Sequence, residues 1–157
     1  MAVATKLSET THTIQVDRPL KTVYNQWTQF EEFPRFMEGV QSVKQLDDDR
    51  LHWTLDIGGR VIEYEAEITD QVPDKRIAWT SRKGRQTGGR VTFQKIDDGA
   101  TEVTLTLQYD PQGPFEAVAD LVGLISGRAR GDLERFKAWM ESREDETGAW
   151  RGKIEKD

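Results

Sequence analysis

The chain has 157 residues, a formal net charge of −6 and no cysteine. This length suits one domain with a substantial core and is too short for two ordinary ones. The absence of cysteine excludes disulfides and thiolate chemistry, and the acidic balance argues against general nucleic-acid binding, which needs Lys and Arg to neutralise phosphates. We expect no transmembrane helix, because no apolar run reaches about 18 residues. The start also lacks the pattern of a secretory signal, so a cytoplasmic protein is expected.

The first part of the chain predicts a strand followed by a helical corner. Thr11–Val16 alternates as a strand does, and Asp17 and Pro19 are typical of a helix start. Asp can cap a helix, and Pro lacks only an N–H that would be unpaired in the first turn. A second short helical piece follows at Phe30–Phe33 and ends at Pro34. We expect the aromatic side chains of this corner to close one end of a sheet.

Six segments in the middle of the chain alternate apolar and polar residues, as strands with one buried face do. The links between them are short turns, and such links join antiparallel neighbours, because a parallel pair needs a long crossover. One face of this sheet is wet, and another element must cover the other face. The predicted strands are Val40–Leu46, where broken parity indicates a bulge, Arg50–Ile57, Arg60–Gln71, Lys75–Arg82, Gly88–Ile96 and Thr101–Tyr109.

The apolar period then changes to three- and four-residue steps from Phe115 to Met140, which predicts an amphipathic helix that covers the sheet. Glycines interrupt this pattern in Gly123–Gly131, and each costs about 1 kcal/mol relative to alanine inside a helix. A kink or break there is the favoured interpretation. Close approach of the helix to a strand and a GxxxG contact between copies are the alternatives.

The pattern also sets the expected domain boundaries. The alternation begins near residue 11 and the helical period ends at Met140, shortly before the polar tail that follows Arg143, so we predict a single ligand-binding domain over 11–143. Beyond it only Trp150 and Ile154 offer apolar anchors. We therefore expect flexible termini at 1–10 and 144–157.

Three stretches resemble one family. The similarity is to bacterial polyketide cyclase/dehydrase-type proteins of the START-like, or SRPBCC, superfamily, whose members include coenzyme Q-binding proteins, lipid-transfer domains and aromatic polyketide cyclases. It implies an α+β helix-grip fold, with a curved antiparallel sheet of about seven strands around a long C-terminal helix and two short helices after the first strand. It also implies a cavity for a hydrophobic ligand between sheet and helix. The stretches are VYNQWTQFEEFPRFMEGVQSV (Val23–Val43), AEITDQVPDKRIAWTS (Ala66–Ser81) and DLERFKAWME (Asp132–Glu141).

Candidate ligand contacts are inward-facing residues of the strands and of the final helix. Apolar burial would drive binding there, with one or two polar groups fixing the orientation. For the aromatic residues, plain core packing is nearly as good an explanation. A buried Tyr64 phenol needs a partner and can orient a carbonyl or hydroxyl of the ligand. The predicted ligand-binding residues are Trp53, Tyr64, Trp79, Ser81, Phe93, Val118, Val122 and Ile125.

Other chemistry finds little support in the sequence. We interpret His12 and His52 as surface residues on the polar side of their strands, and two distant imidazoles are too few for a metal site. No phosphate-binding glycine motif is present, so we expect no nucleotide cofactor and assign no catalytic residues. The basic cluster in Arg82–Arg90 could hold an anionic head group at a cavity mouth, although a solubilising loop is favoured.

Three functions remain open. The favoured one is a protein that binds or carries a small hydrophobic or amphipathic molecule such as a lipid, a quinone or a polyketide-like compound. The second is an aromatase/cyclase-type enzyme that folds a reactive polyketone chain and uses Tyr64 or a nearby Arg as proton donor. The third is an interaction module whose own side chains fill the core.

Overall fold

The computed structural model describes residues 8–57, 59–81, 87–109 and 121–156, and for 121–127 it describes the backbone alone. Strands and helices follow the predicted order and confirm the α+β class. A 3-10 helix at Phe30–Arg35 follows the first α-helix. The remaining elements are β1 (Ser8–Val16), α1 (Leu20–Trp27), β2 (Val40–Asp47), β3 (Arg50–Ile57), β4 (Arg60–Val72), β5 (Arg76–Ser81), β6 (Thr87–Asp97), β7 (Ala100–Tyr109), α2 (Leu121–Glu141) and β8 (Ile154–Glu155).

The strands form one antiparallel sheet in the order β1-β7-β6-β5-β4-β3-β2, and β8 pairs with β4 beside this path. Every predicted strand is present, and its ends differ from the prediction by only a few residues. The bulge predicted in β2 is confirmed, because the pairing of β2 with β3 shifts register between Val40 and Ser42. A second shift between Ile68 and Asp70 lies where β4 pairs with β5. Such bulges bend a strand and increase its twist.

The core is centred on Trp27, whose ring joins four elements of the fold. Its centroid lies 5.3 Å from Phe33 of the 3-10 helix and 6.1 Å from Phe36. It also lies 6.4 Å from Phe93 of β6 and 5.0 Å from Phe136 of α2. Most of these pairs meet edge to face, the arrangement that aromatic quadrupoles favour. The helical corner is thus packed against both the sheet and the C-terminal helix.

Helix α2 is continuous from Leu121 to Glu141. A break within Gly123–Gly131 is therefore wrong, since the helical backbone passes through all three glycines. A kink there stays a prediction. The part of the predicted helix before residue 121 lies outside the described residues, and no described helix is both long and apolar enough to cross a membrane. The fully covered face of α2 lies against β1 and the helical corner and contains Ala129, Leu133, Phe136 and Met140.

The segment after α2 returns to the body of the protein through polar contacts. Arg151 donates hydrogen bonds of 2.7 Å to Asn25 and to Asp74. Its guanidinium also lies 5.5 Å from the centroid of the Tyr24 ring. Strand β8 adds backbone pairing with β4. The prediction of a flexible tail was made from apolar periodicity, and apolar periodicity does not reveal polar contacts such as these.

The aromatic core yields a stability prediction at Phe136, which is 0% exposed. Phe136→Ala should lower the free energy of unfolding by about 3–5 kcal/mol, the usual cost of emptying a buried Phe site. Phe136→Leu keeps most of the volume and should cost less than about 1.5 kcal/mol. Urea unfolding followed by circular dichroism measures both values, and equal losses for the two variants would contradict this account of the core.

Candidate functional site

Three of the predicted ligand-binding residues form one aromatic stack on the inner face of the sheet. Trp53 on β3 lies opposite Tyr64 on β4, with centroids 6.2 Å apart and ring planes within 2° of parallel. Trp53 also stacks with Trp79 of β5 at 6.4 Å. Ala66 lies on β4 between the strands that carry the two tryptophans. Its small side chain lets the two rings meet across the strand. We call Trp53, Tyr64 and Trp79 the aromatic stack.

The indole N–H of Trp53 is buried and has no hydrogen-bond partner among the described residues. The residue is only 5% exposed, and Phe33 covers it at a centroid distance of 5.6 Å. Buried indole N–H groups usually find an acceptor, because an unsatisfied donor costs about 1–3 kcal/mol. This orphaned donor at the centre of the aromatic stack can be satisfied by an acceptor on a bound molecule.

Tyr64 contributes a second donor to the stack. Its side chain is half-buried, and burial raises the pKa of the Tyr64 phenol above its usual value of 10.0. Burial penalises the charged phenolate, so the O–H keeps its proton throughout the physiological pH range. Near neutral pH, Trp53 and Tyr64 are therefore both able to donate hydrogen bonds.

This raised pKa predicts a pH dependence of stability. Because the unfolded chain loses its tyrosine proton first, stability is fully present below about pH 10 and falls as the pH rises toward the pKa of the folded state. The wild type should therefore lose free energy of unfolding more steeply than Tyr64→Phe between about pH 10 and 12. Urea unfolding at a series of pH values tests this. The pKa of Tyr24 is also raised, chiefly by burial, but Tyr24 is present in both proteins and cancels in the difference. Parallel pH profiles would refute the prediction.

The Trp79 ring packs against a glycine on the neighbouring strand. Gly89 lies directly opposite Trp79 in the β5–β6 pairing. A Cβ atom at position 89 would lie 2.4 Å from Cζ2 of the indole. The ring therefore rests on glycine backbone, and only glycine leaves this space. Ser81, another predicted contact, lies further along β5 opposite Ala66.

Gly89→Ala should displace the Trp79 ring and lower the free energy of unfolding by about 1–3 kcal/mol, the usual cost of overpacking. A shift in tryptophan fluorescence should accompany this loss. The matched control is Gly99→Ala, whose Cβ would meet only Oδ1 of Asp97 at 3.8 Å. Equal stability losses for the two alanine variants, measured by urea unfolding, would show that Trp79 does not depend on Gly89.

The other predicted contacts are not part of the aromatic stack. Phe93 packs edge-on against Tyr24 at 5.3 Å and against Trp27 at 6.4 Å, within the core of the helical corner. Val118 lies outside the described residues, as do the side chains of Val122 and Ile125 on α2. Their contacts with a ligand stay a prediction.

His12 lies on the inner face of the sheet, and its assignment to the polar side was wrong. It pairs with Leu105 and shares the parity of Ile14, which pairs with Val103 on the same face. The signal was present in the sequence, since positions 12, 14 and 16 point the same way along a strand. Nε2 of His12 lies 3.2 Å from the Thr10 hydroxyl. The inner face therefore contains an imidazole that sequence reasoning missed.

His52 does lie on the outer face, 3.2 Å from a carboxylate oxygen of Glu63. Within the described parts of the chain, no cluster of three His, Asp or Glu side chains could hold a metal ion. A separate concavity of about 440 Å³ lies over β5, β6 and β7. Of the predicted contacts whose side chains the structure describes, Trp79 and Ser81 line it. Most of its other lining residues have the outward parity of their strands, so we call it the outer pocket.

Comparison with known proteins supports the fold and identifies the family. The model of the family described as "Polyketide cyclase / dehydrase and lipid transport" matches residues 16–138. A 17.2 kDa protein of Streptomyces lincolnensis is 44% identical over 149 residues, which cover 94% of this chain and 99% of that protein. A crystal structure of a Deinococcus radiodurans protein is 30% identical with a TM-score of 0.68, and the match covers 86% of this chain and 98% of that one.

More distant structures share the fold at low identity. The Zhui aromatase/cyclase from a Streptomyces species superposes with a TM-score of 0.76 at 17% identity, over 88% of this chain and 96% of that one. A START superfamily protein from Mycobacterium smegmatis superposes with a TM-score of 0.68 at 14% identity, over 87% and 96% of the two chains. The fold fits hydrophobic ligand binding or aromatase/cyclase activity. The resemblance found in the sequence is thereby confirmed: this chain belongs to the polyketide cyclase/dehydrase and lipid transport family and has a START-like fold.

Proposed function

We propose that this protein binds and carries a small hydrophobic or amphipathic molecule between the aromatic stack and helix α2. The observation that carries the proposal is the buried, unpartnered indole N–H of Trp53 within a wall of aromatic rings. Apolar walls supply affinity at about 25 cal/mol per Å² of surface removed from water. One or two placed polar groups then fix the orientation of the ligand.

The polar groups of the stack narrow the chemical class of the ligand. Trp53 has a donor without an acceptor, and Tyr64 keeps its proton because burial raises the pKa of its phenol. Two donors on an apolar wall suit a molecule whose polar atoms are acceptors. A carbonyl-bearing lipid, a quinone or a polyketide-like compound has that character, whereas a hydrocarbon would leave the indole N–H unsatisfied.

Aromatase/cyclase catalysis is the second candidate, and the similarity in fold to the Zhui aromatase/cyclase favours it. Such a reaction needs an efficient proton donor, and general acids work best when their pKa lies near the working pH. Burial moves the pKa of Tyr64 in the opposite direction. Tyr64 is therefore better suited to hydrogen bonding than to proton transfer, and this ranks the carrier above the enzyme.

The third candidate, an interaction module with a filled core, draws support from the low exposure of two predicted contacts. Trp53 is 5% exposed and Phe93 is 7% exposed. A closed core should not bind fluorescent hydrophobic probes in a stoichiometric way. One probe molecule bound per chain would exclude it.

The carrier is tested by extracting the purified protein with organic solvent and identifying the extract by mass spectrometry. We expect a co-purifying molecule with a carbonyl or similar acceptor. For that molecule, Trp53→Phe should weaken binding about two- to tenfold, since the ring stays and one hydrogen bond is lost. Trp150→Phe, the same change in the C-terminal segment, should leave the affinity unchanged.

Two outcomes would contradict the carrier. An empty extract together with no stoichiometric probe binding would favour the filled core. Conversion of a polyketone substrate with turnover would favour the enzyme, particularly if Tyr64→Phe lowers the rate more than it weakens binding. Equal affinities for Trp53→Phe and Trp150→Phe would remove the indole N–H from the argument.

A further inference from the structure

Most residues that line the outer pocket lie on the solvent side of the sheet, and Trp79 of the aromatic stack also contributes to the lining. Pairing places Thr80, Gly88 and Gln108 side by side across β5, β6 and β7. Gly88 lets the two strands approach closely, since a Cβ atom there would lie 2.8 Å from the backbone oxygen of Trp79. The next outward row contains Ala78, Arg90 and Thr106. The volume of about 440 Å³ falls within the range of about 300–1,000 Å³ typical of small-molecule sites.

The lining of this pocket is rich in hydrogen-bond donors and has one formal charge. Among the described residues that line it, Arg90 is the only charged one, and the hydroxyls of three threonines and one serine accompany it. The same described residues include no carboxylate. Such a set of groups favours an anion over a cation or an apolar molecule, because a guanidinium presents five N–H groups and no acceptor.

Arg90 is available for a ligand. Its side chain is exposed, and among the described residues it forms no ion pair or hydrogen bond. Other arginines of the sheet are engaged, as Arg76 is with Asp70 and Arg50 is with Asp47 at 2.7 Å. Among the described residues of the lining, the guanidinium of Arg90 is therefore a cation that a ligand can bind.

Three acidic groups beside the pocket have other partners. Asp70 lies opposite the lining residue Ala78 and forms an ion pair with Arg76. Glu67 lies opposite Thr80 in the pairing of β4 with β5, and Nζ of Lys156 approaches it to 3.5 Å. Glu9 accepts a hydrogen bond of 3.1 Å from the side-chain amide of Gln108. None of the three carboxylates is among the described residues of the lining. In the described part of the pocket, an anion thus meets Arg90 without a neighbouring carboxylate.

Thr106 forms an ordered, hydrogen-bonded part of the pocket floor. It is only 5% exposed although it points outward, and its hydroxyl lies 3.2 Å from the hydroxyl of Thr11. A hydroxyl has one donor and two acceptor positions, so this pair leaves capacity for a further bond. On the opposite face the Trp79 ring rests on Gly89, which holds the β5–β6 pair that forms the pocket wall.

We propose that the outer pocket is a second binding site, which takes a small anion through a carboxylate or phosphate group held by Arg90 and the neighbouring hydroxyls. Arg90 belongs to the basic cluster considered from the sequence, whose other members at 82, 83 and 85 lie outside the described residues. Strand register places Arg90 in the row of Ala78 and Thr106 on the solvent face. This second site is independent of the apolar site and does not require the proposed carrier function. Guanidinium groups bind both oxyanions in a bidentate manner, so the chemistry is shared.

The test is a titration of the ¹⁵N-labelled full chain with inorganic phosphate and, separately, with citrate at constant ionic strength. We expect saturable chemical-shift changes at the backbone amides of Thr80, Gly88, Gly89 and Thr106. Arg90→Gln should weaken binding at least tenfold, and Arg90→Lys should weaken it less because the charge remains. Arg130→Gln, which removes an exposed arginine of α2, should leave the affinity unchanged.

The two anions separate the possible ligand types. Tighter binding of phosphate assigns a phosphorylated ligand, and tighter binding of citrate assigns a carboxylate. Non-saturating shifts spread over the surface for both anions would overturn the site. Equal affinities of Arg90→Gln and Arg130→Gln would overturn it as well. The amide spectrum of each variant shows directly whether it is folded, and Thr80→Val offers a second change at an exposed position that should weaken binding without touching the charge.

Discussion

The packing around Trp27 is the constraint on which the rest of the structure depends. One indole contacts the 3-10 helix, β6 and α2, so it fixes the helical corner, the sheet and the C-terminal helix relative to one another. Any space between sheet and helix has a defined width only because these rings hold the two layers. Trp53 reaches the same cluster through Phe33, which contacts both tryptophans. The candidate site is therefore built directly onto the rigid part of the core.

Small residues decide where the large rings of the inner face can lie. Ala66 leaves room for Trp53 and Trp79 to meet across β4, and Gly89 supplies the surface on which Trp79 rests. The same β5–β6 pair turns Thr80 and Arg90 to the other face. One strand pair thus presents an aromatic wall on one side and a polar concavity on the other, which follows from the two-residue period of a strand.

The sequence predicted the strands and their pairing because the alternation was strong and the links were short. It also predicted that Trp53, Tyr64 and Trp79 share the inner face, because inward-facing residues of adjacent strands lie on one side of the sheet, but it did not predict that their rings stack. It failed at His12, which strand parity places on the inner face, and in the break expected at the glycines of α2, through which the helix is continuous. The contacts of Arg151 could not be predicted from the sequence, since they join polar groups far apart in the chain. The outer pocket depends on register, which fixes what lies beside Gly88.

Selectivity in the proposed apolar site would come from a penalty as much as from an attraction. Any apolar molecule gains from covering the rings of Trp53 and Trp79, so burial alone discriminates poorly. A molecule without an acceptor, however, leaves the indole N–H of Trp53 buried and unpaired, at a cost of about 1–3 kcal/mol. A matching acceptor removes that cost and adds a hydrogen bond, and rejection by an unpaired buried group is the stronger form of discrimination. One orphaned donor can thereby select carbonyl-bearing ligands from the much larger pool of hydrocarbon chains.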